Sequence, residues 1–368
     1  MQMLNTNTTK GDNSKGSDTS WVASLNLDRL VFNFSVSFSG GGLTRLNGFA
    51  SWFNDHGGAN FLIHPACAGV KKLFPKNRYM VVDISRVQRL FCDFKYLDMM
   101  LKKWGNPDFY YSYGIPIMSS VGRFNWLHIN NILPISKKRI PLASLDLFKR
   151  VLLGPQLQRS ASSVDVISVE SVYSKRMLGS ALAAKTLVSV NGANEQITEL
   201  GRPQRDSSIP VAVVVGTWRY KAVADSIQVF NHLRLTETDL KLRIFGPSKY
   251  LPSEVFRRPE ILVEGVNSRD HILHVMKTAR YYISTTLLEN SYLAASEGIF
   301  MAENSIVSDI GPHRELLDGE AYKTVSIPKV KTQLLVTCRN QLTGRNLCTW
   351  DSVIKSMLTK MGLIMSKI

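Results

Sequence analysis

The sequence predicts an α/β protein built from two doubly wound domains that face each other across a cleft. Three observations lead there. At 368 residues, 44% of them hydrophobic, the chain is long for a single core and comfortable for two. Short β-branched and aromatic runs alternate with helical stretches along most of its length, as in parallel sheets covered on both faces. One stretch, 280–317, packs strand, loop, helix and strand into a single βαβ unit. In such sheets ligands bind beyond the carboxyl ends of the strands, here in the cleft between the domains.

Residues 1–20 are Asn, Thr, Ser, Gly and Lys with almost nothing apolar, and are expected to form a disordered tail. The first domain is then expected over 21–194. Leu30 to Phe38 (LVFNFSVSF) predicts its first strand, Ser39-Gly40-Gly41-Gly42 a turn, and Leu43 to Phe53 a helix. A glycine turn between strand and helix lets backbone N–H groups at Gly41 and Gly42 approach a phosphate or sugar. The same turn can equally bind nothing, and it lacks the G-x-G-x-x-G dinucleotide pattern. Further strands are predicted at Phe61 to His64, Tyr79 to Ile84, Phe109 to Tyr113, Arg123 to Ile129 and Val164 to Val169. His128, alone among apolar residues, reads as a satisfied core histidine or as a cleft residue.

The second domain is expected over 195–345. Pro210 to Gly216 (PVAVVVG) predicts its first strand, Thr217 to Lys221 a loop, and Val223 to Leu233 a helix. Arg219 supplies a planar fork and Lys221 a mobile point charge, a pair suited to two phosphates or simply to solvent. Leu242 to Pro247 and Ile261 to Val266 predict two more strands, and Arg269 to Thr278 a helix. From Lys329 onward only helices are evident, the last within 346–368.

The unit at 280–317 carries two glutamates. Tyr281 to Thr285 predicts a buried strand, Tyr292 to Glu303 a helix by propensity, and Ser305 to Ile310 a second strand ended by Gly311-Pro312. Glu289 and Glu297 are eight positions apart. A continuous helix would separate them by roughly 12 Å and about 80°. They share a cleft only if Glu289 lies in the loop before the helix. That spacing is too wide for the carboxylate pair of a retaining glycosidase, roughly 5 Å. It suits two anchors on a long ligand such as a sugar nucleotide, with its diphosphate at the helix N-terminus. Small residues at Ala294, Ala295, Ser296 and Gly298 leave room for close approach. The plainer alternative is a surface helix with two solvated glutamates.

Lys and Arg exceed Asp and Glu by 16, and the excess is uneven: residues 1–190 carry a net of +12 and residues 191–368 a net of +4. Glu170 is the only glutamate in the first 190 residues. Such a field attracts polyanions, meaning nucleic acid or an anionic membrane surface. No zinc-finger or RNA-recognition signature accompanies it, so no nucleic acid is expected. Segment 71–105 holds nine cations (Lys71, Lys72, Lys76, Arg78, Arg86, Arg89, Lys95, Lys102, Lys103) interleaved with Leu90, Phe91, Phe94, Leu97, Met100, Leu101 and Trp104. It reads as an in-plane face for anionic lipid or as a core helix with a solvated basic side. The four cysteines (Cys67, Cys92, Cys338, Cys348) form no C-x-x-C pair, no export signal opens the sequence, and no apolar run reaches a membrane span. A reduced, cytoplasmic protein is expected.

Glu289, seven residues, Glu297 and then a strand ending SDIGPHRE resemble the signature of family 4 glycosyltransferases of the GT-B fold. The resemblance covers roughly 30–350 and is strongest over 210–317. It implies two Rossmann-like domains, with the last helix crossing back to the first. It places Glu289 against the donor sugar, Glu297 on the nucleotide ribose, and Arg219 and Lys221 on the diphosphate. Gly41 and Gly42 correspond to the family's glycine-rich loop, and the backbone near Gly246 and Gly265 to the edge of the base pocket. WLHINNILPI resembles the family's central strand, which would turn His128 into the cleft near the sugar or acceptor, and LVSVNGAN resembles the start of the interdomain linker. In place of the usual Gly-Phe-Gly after the first glutamate stand Asn290, Ser291 and Tyr292.

The resemblance therefore implies a retaining transferase moving a sugar from a nucleotide-sugar donor to an acceptor hydroxyl. The implied acceptor is a saccharide or lipid-linked saccharide at the cytoplasmic membrane face, as in bacterial surface-polysaccharide assembly. None of the seventeen aspartates forms a D-x-D pair, so no metal and no other cofactor is expected. Two other classes stay open: a sugar-nucleotide epimerase of the same fold, and a basic nucleic-acid-binding protein.

Overall fold

The computed structural model describes residues 26–83, 95–136, 144–193, 197, 210–290 and 293–365. The tail over 1–20, Cys92, most of the linker, Ser291 and the 84–94 part of the basic segment lie outside the described residues.

Two seven-stranded sheets are present. The first contains β1 (Leu30–Phe34), β2 (Asn60–Ile63), β3 (Arg78–Val81), β4 (Phe109–Tyr113), β5 (Phe124–His128), β6 (Val166–Val169) and β7 (Thr186–Val188). They run in the order 3-2-1-4-5-6-7, every pair parallel. Its helices are α1 (Gly40–Asp55), α2 (Val70–Leu73), α3 (Lys95–Trp104), α4 (Ser144–Arg159), α5 (Val172–Met177) and α6 (Ser180–Ala184). All five residues of β1 are buried, because a central parallel strand is covered on both faces. Phe32 sits at the middle of an aromatic cluster, its ring 4.7–5.7 Å from those of Phe49, Phe53, Phe61 and Phe109. This dense packing fixes α1 over the sheet.

The second sheet contains β8 (Val211–Val215), β9 (Lys241–Phe245), β10 (Ile261–Gly265), β11 (Tyr281–Ser284), β12 (Asn304–Ser308), β13 (Lys323–Val325) and β14 (Leu334–Cys338), in the order 10-9-8-11-12-14-13. β14 lies antiparallel between β12 and β13. Its helices are α7 (Val223–Leu233), α8 (Arg269–Thr278), α9 (Leu293–Met301) and α10 (Gly311–Leu316). β14 corrects the expectation that only helices follow Lys329. Its residues Leu334 and Leu335 are buried by pairing with β12, a contact between distant segments that local pattern does not announce.

The final helix, α11 (Trp350–Met365), leaves the second domain and packs on the first. Ile354, Met357, Leu358 and Met361 join the cluster around Phe32 and Phe49. The Trp350 indole lies against Gly48 of α1 and Gly192. A Cβ at either glycine would stand 2.3 or 2.4 Å from the ring, so the docking needs both positions bare.

The strand order reverses between β1 and β4 in one sheet and between β8 and β11 in the other. Reversal leaves a crevice beyond the carboxyl ends of those strands, where the crossover connections part.

Candidate active site in the interdomain cleft

At the second sheet's switch point, the loop after β8 and the loop after β11 are stitched together. Leu287 N–H donates to the Tyr220 carbonyl at 2.7 Å, and Thr285 Oγ1–H to that of Ala222 at 2.8 Å. Glu289 lies in the β11–α9 loop, as sharing a cleft with Glu297 requires, and forms an ion pair with Lys221. Ala222, next to Lys221, has φ 48° and ψ 47°. A side-chain-bearing residue adopts that conformation at a cost of roughly 1–2 kcal/mol, so local strain sits beside the cation. Arg219 is exposed at the start of the same turn.

Glu297 is buried just over one turn inside α9. Arg269, at the start of α8, forms an ion pair with it. Burial pushes the Glu297 carboxyl up to about 7, and the guanidinium only partly offsets this. Arg269 also donates through Nη1 to Thr44 Oγ1 of α1 at 3.0 Å, so this pair ties the two domains together. The clearance at Gly298 serves packing: a Cβ there would stand 2.2 Å from the Tyr282 ring beneath α9.

His313, the first residue of α10 after Gly311-Pro312, is fully buried. Its Nδ1 lies 2.7 Å from the Ser308 carbonyl and so carries the proton, leaving Nε2 as a bare acceptor without a partner among the described residues. Burial holds its pKa at about 4, with the Lys221 charge pushing the same way. The imidazole is therefore neutral.

The first domain faces this edge with the first turn of α1. Gly40, Gly41 and Gly42 form that turn and are not a separate loop, because the strand stops at Phe34 and Ser37 N–H already turns back to the Phe34 carbonyl. Among the described residues a Cβ at Gly41 would meet only the Leu293 side chain of α9, at 3.9 Å, so the N-termini of α1 and α9 approach each other. At Gly42 a Cβ would press on Ser37 and the Tyr113 ring, at 3.1 and 3.3 Å. Gly246 N–H donates to the Gly265 carbonyl at 2.7 Å, which joins the ends of β9 and β10.

His128 has no solvent exposure, and its ring stacks on that of Tyr113 at 5.1 Å. Its Nδ1 is 2.7 Å from Ser168 Oγ and its Nε2 3.2 Å from Glu170 Oε1. Trp126 Nε1–H donates to the same Ser168 Oγ, so the hydroxyl hydrogen is available for His128 Nδ1 and the ring proton belongs on Nε2, toward Glu170. Burial and the charge of Arg45 keep His128 well below its ordinary pKa. The expected turn into the cleft is not what the structure shows: His128 is buried, and its Nε2 meets Glu170, which in turn meets the second domain.

Glu170 is 3% exposed and meets the second domain at Asn290. Asn290 Nδ2 donates to Glu170 Oε2 at 3.3 Å and to the Ile129 carbonyl at 2.8 Å. Glu315 adds a further tie, accepting from Val172 N–H and Tyr173 N–H at the start of α5 at 2.8 and 2.5 Å. Glu170, Arg269 and His313 were not singled out by sequence reasoning. Glu170 carries a signal as the lone glutamate of the first 190 residues at the end of a predicted strand, and His313 lies within the SDIGPHRE stretch.

In segment 71–105, Lys71, Lys72, Lys76, Arg78, Lys102 and Lys103 are exposed, with Leu73 and Met99 beside them in sequence. Leu97 and Met100 belong to the core instead. Among the described residues no group of three or more His, Cys, Asp or Glu is placed to hold a metal ion, and no helix is long and apolar enough to cross a membrane.

No protein-family model matches the chain, and no curated protein matches it in sequence. Solved structures do match in fold. Sucrose-phosphate synthase from Thermosynechococcus elongatus aligns over 92% of this chain and 99% of its own, with a TM-score of 0.64 and 12% identity. Anabaena HepE in complex with UDP and glucose aligns over 79% and 83%, with a TM-score of 0.55 and 14% identity. An α,α-trehalose-phosphate synthase (UDP-forming) from Burkholderia vietnamiensis aligns over 79% and 86%, with a TM-score of 0.52 and 11% identity. The two doubly wound sheets facing each other across a cleft, shared with these enzymes, are the GT-B fold.

Proposed function

We propose that this chain is a retaining glycosyltransferase, of the family 4 type, that moves a sugar from a nucleotide-sugar donor to an acceptor hydroxyl. One observation carries the reading: Glu289 with Lys221, and Glu297 with Arg269, stand as two carboxylate–cation pairs at the second sheet's switch point. Carboxylates recognise hydroxyls and cations recognise phosphates, so the set matches a sugar nucleotide along its length. HepE, with the same fold, was solved with UDP and glucose.

In this reading Glu297 takes the ribose hydroxyls, Glu289 the sugar, and Lys221 with Arg219 the diphosphate. Gly41 and Gly42 bring the α1 terminus toward the phosphates, Gly246 and Gly265 border the base, and Asn290 lines the sugar. His128 serves the sugar site from behind Glu170. The acceptor oxygen bonds to the anomeric carbon on the face from which the diphosphate oxygen departs, and the acceptor proton passes to that oxygen. Lys221 and Arg219 stabilise the charge growing on the leaving group, the part a metal ion plays elsewhere. The acceptor is a lipid-linked saccharide at the cytoplasmic membrane face, and the exposed cations of segment 71–105 hold the first domain against anionic lipid.

Titration of UDP-, GDP- and ADP-sugars by calorimetry, followed by a transfer assay, tests this. Binding of one nucleotide class and release of its diphosphate with the sugar on an acceptor is expected. No binding by any class sinks the proposal, and conversion of the donor sugar without transfer favours an epimerase.

A further inference from the structure

We propose that Glu170 is a positioning residue: from the first domain it fixes Asn290, and with it the loop that carries Glu289, leaving Asn290 Oδ1 as an acceptor for a sugar hydroxyl. This rests on the transferase reading for its chemistry, and on contacts between the domains for its structure.

The loop after β11 belongs to the second domain in sequence but is held by the first. Leu288 is 3% exposed and packs in the first domain's cluster with Leu133, Val169 and Leu178. The Asn290 carbonyl accepts from Ser174 Oγ at 3.3 Å. Both hydrogens of Asn290 Nδ2 have acceptors in the first domain, the Ile129 carbonyl and Glu170 Oε2. With the amino limb pinned, the orientation of the carboxamide is settled. Its Oδ1 is buried and without a partner among the described residues.

An acceptor left in that state keeps the cost of having lost its water, which a hydroxyl donor would recover. The polarity is informative: an amide oxygen accepts, so the group it reads is an O–H of a polyol rather than a phosphate oxygen. Glu289 lies one residue away, about 3.8 Å along the chain, so anything that fixes Asn290 fixes where the Glu289 carboxylate starts.

Glu170 is itself held on several sides. Its Oε1 faces His128 Nε2 at 3.2 Å, and its Oε2 accepts from Asn290 Nδ2 at 3.3 Å. His128 in turn is anchored through Ser168 to Trp126. The chain Trp126–Ser168–His128–Glu170–Asn290 thus runs from the first domain's core to the second domain's sugar-facing loop. A reacting group displaced by an ångström loses on the order of a hundredfold in rate, so such a chain has a kinetic consequence.

Glu170→Ala, Glu170→Gln, Asn290→Ala and the double alanine variant test the proposal in the full chain. The first measurement is hydrogen exchange of the peptide over 285–290, which needs no substrate. Glu170→Ala should speed exchange there about tenfold while β8 stays protected. Glu170→Gln, which keeps an acceptor for Asn290 Nδ2, should restore much of that protection. The second measurement pairs UDP affinity with the single-turnover rate on the nucleotide sugar that the wild-type chain turns over. Glu170→Ala should lower the rate at least about tenfold with UDP affinity within about twofold, and the double variant should be no slower than either single. Unchanged exchange over 285–290, or additive rate losses, overturns the proposal. Exchange that rises throughout the first domain assigns Glu170 a general structural role and also overturns it. If the wild-type chain turns over no nucleotide sugar, the transferase reading fails while the exchange arm still decides the tie.

Discussion

Arg269 and Glu297 form an ion pair in which the carboxylate side chain is 6% exposed and the guanidinium side chain 32%. The asymmetry matters. The anion bears nearly the full cost of leaving water, while the cation keeps part of its hydration and a hand on Thr44 in the other domain. A ribose that docks on Glu297 must share or displace this guanidinium.

The pair predicts a pH signature. Glu297 has an ordinary value of 4.5 and a folded value of about 7. An acid raised in this way binds more protons folded than unfolded between those values. Its contribution to stability therefore falls as pH climbs from 4.5 through 7, and the whole cost, about 3 kcal/mol, is felt above that. Glu297→Gln removes the charge and leaves Arg269 partly solvated. The variant should melt higher than wild type at pH 8, by about 1–3 kcal/mol, with the gap closing toward pH 5. Calorimetric melting at both pH values checks this, and a gap independent of pH contradicts it.

Kinetics should separate the two glutamates. A ribose contact exists in ground state and transition state alike, so Glu297→Gln should mainly raise KM, by about 1.5–3 kcal/mol. The sugar ring gains positive charge as its bond to phosphate breaks, so the Glu289 contact strengthens toward the transition state. Glu289→Gln should lower kcat more than it raises KM. Donor calorimetry beside single-turnover rates reads both, and full activity in either variant removes that residue from the proposed site.

Gly48→Ala should detach the last helix. Its Cβ would lie 2.3 Å from the Trp350 ring, which is boxed in by Gly192 opposite. Overpacking of this kind costs about 1–3 kcal/mol. Trp350→Leu in the same chain should recover part of the loss. Thermal unfolding measures it, and a Gly48→Ala chain as stable as wild type would contradict the packing argument.

Transfer should survive EDTA, because Lys221 and Arg219 are proposed to balance the diphosphate. Loss of activity on chelation with rescue by Mn²⁺ would refute this.

Anionic vesicles should pull the protein down and neutral vesicles should not, each cation near the surface contributing about 1 kcal/mol. Replacing Lys71, Lys72, Lys102 and Lys103 by Gln should abolish the difference. Equal binding to both vesicle types, or binding to neither, counts against a membrane face.

The alternation of strand and helix, and with it the two doubly wound sheets, is legible in the residues alone. Apolar runs such as Val211–Val215 and the glycines and prolines that end them are local signals, and α7 and α8 fall on the predicted residues. Also legible there is that Glu289 and Glu297 are eight residues apart with a helix break between, so that a shared cleft required a loop. Which distant residues meet is settled only by the packed fold. Glu170 and Asn290 are 120 positions apart, and Arg269 and Thr44 are 225 apart. No periodicity links such residues, because their meeting depends on how two separately folded sheets face each other. The same holds for β14, whose five residues become a strand only because β12 offers an edge. It holds for His128 as well, which a sequence could assign to cleft or core with equal reason. The enclosing rings of Tyr111 and Tyr113 come from β4, and the carboxylate of Glu170 at its tip from the end of β6, and burial by them made it a core residue.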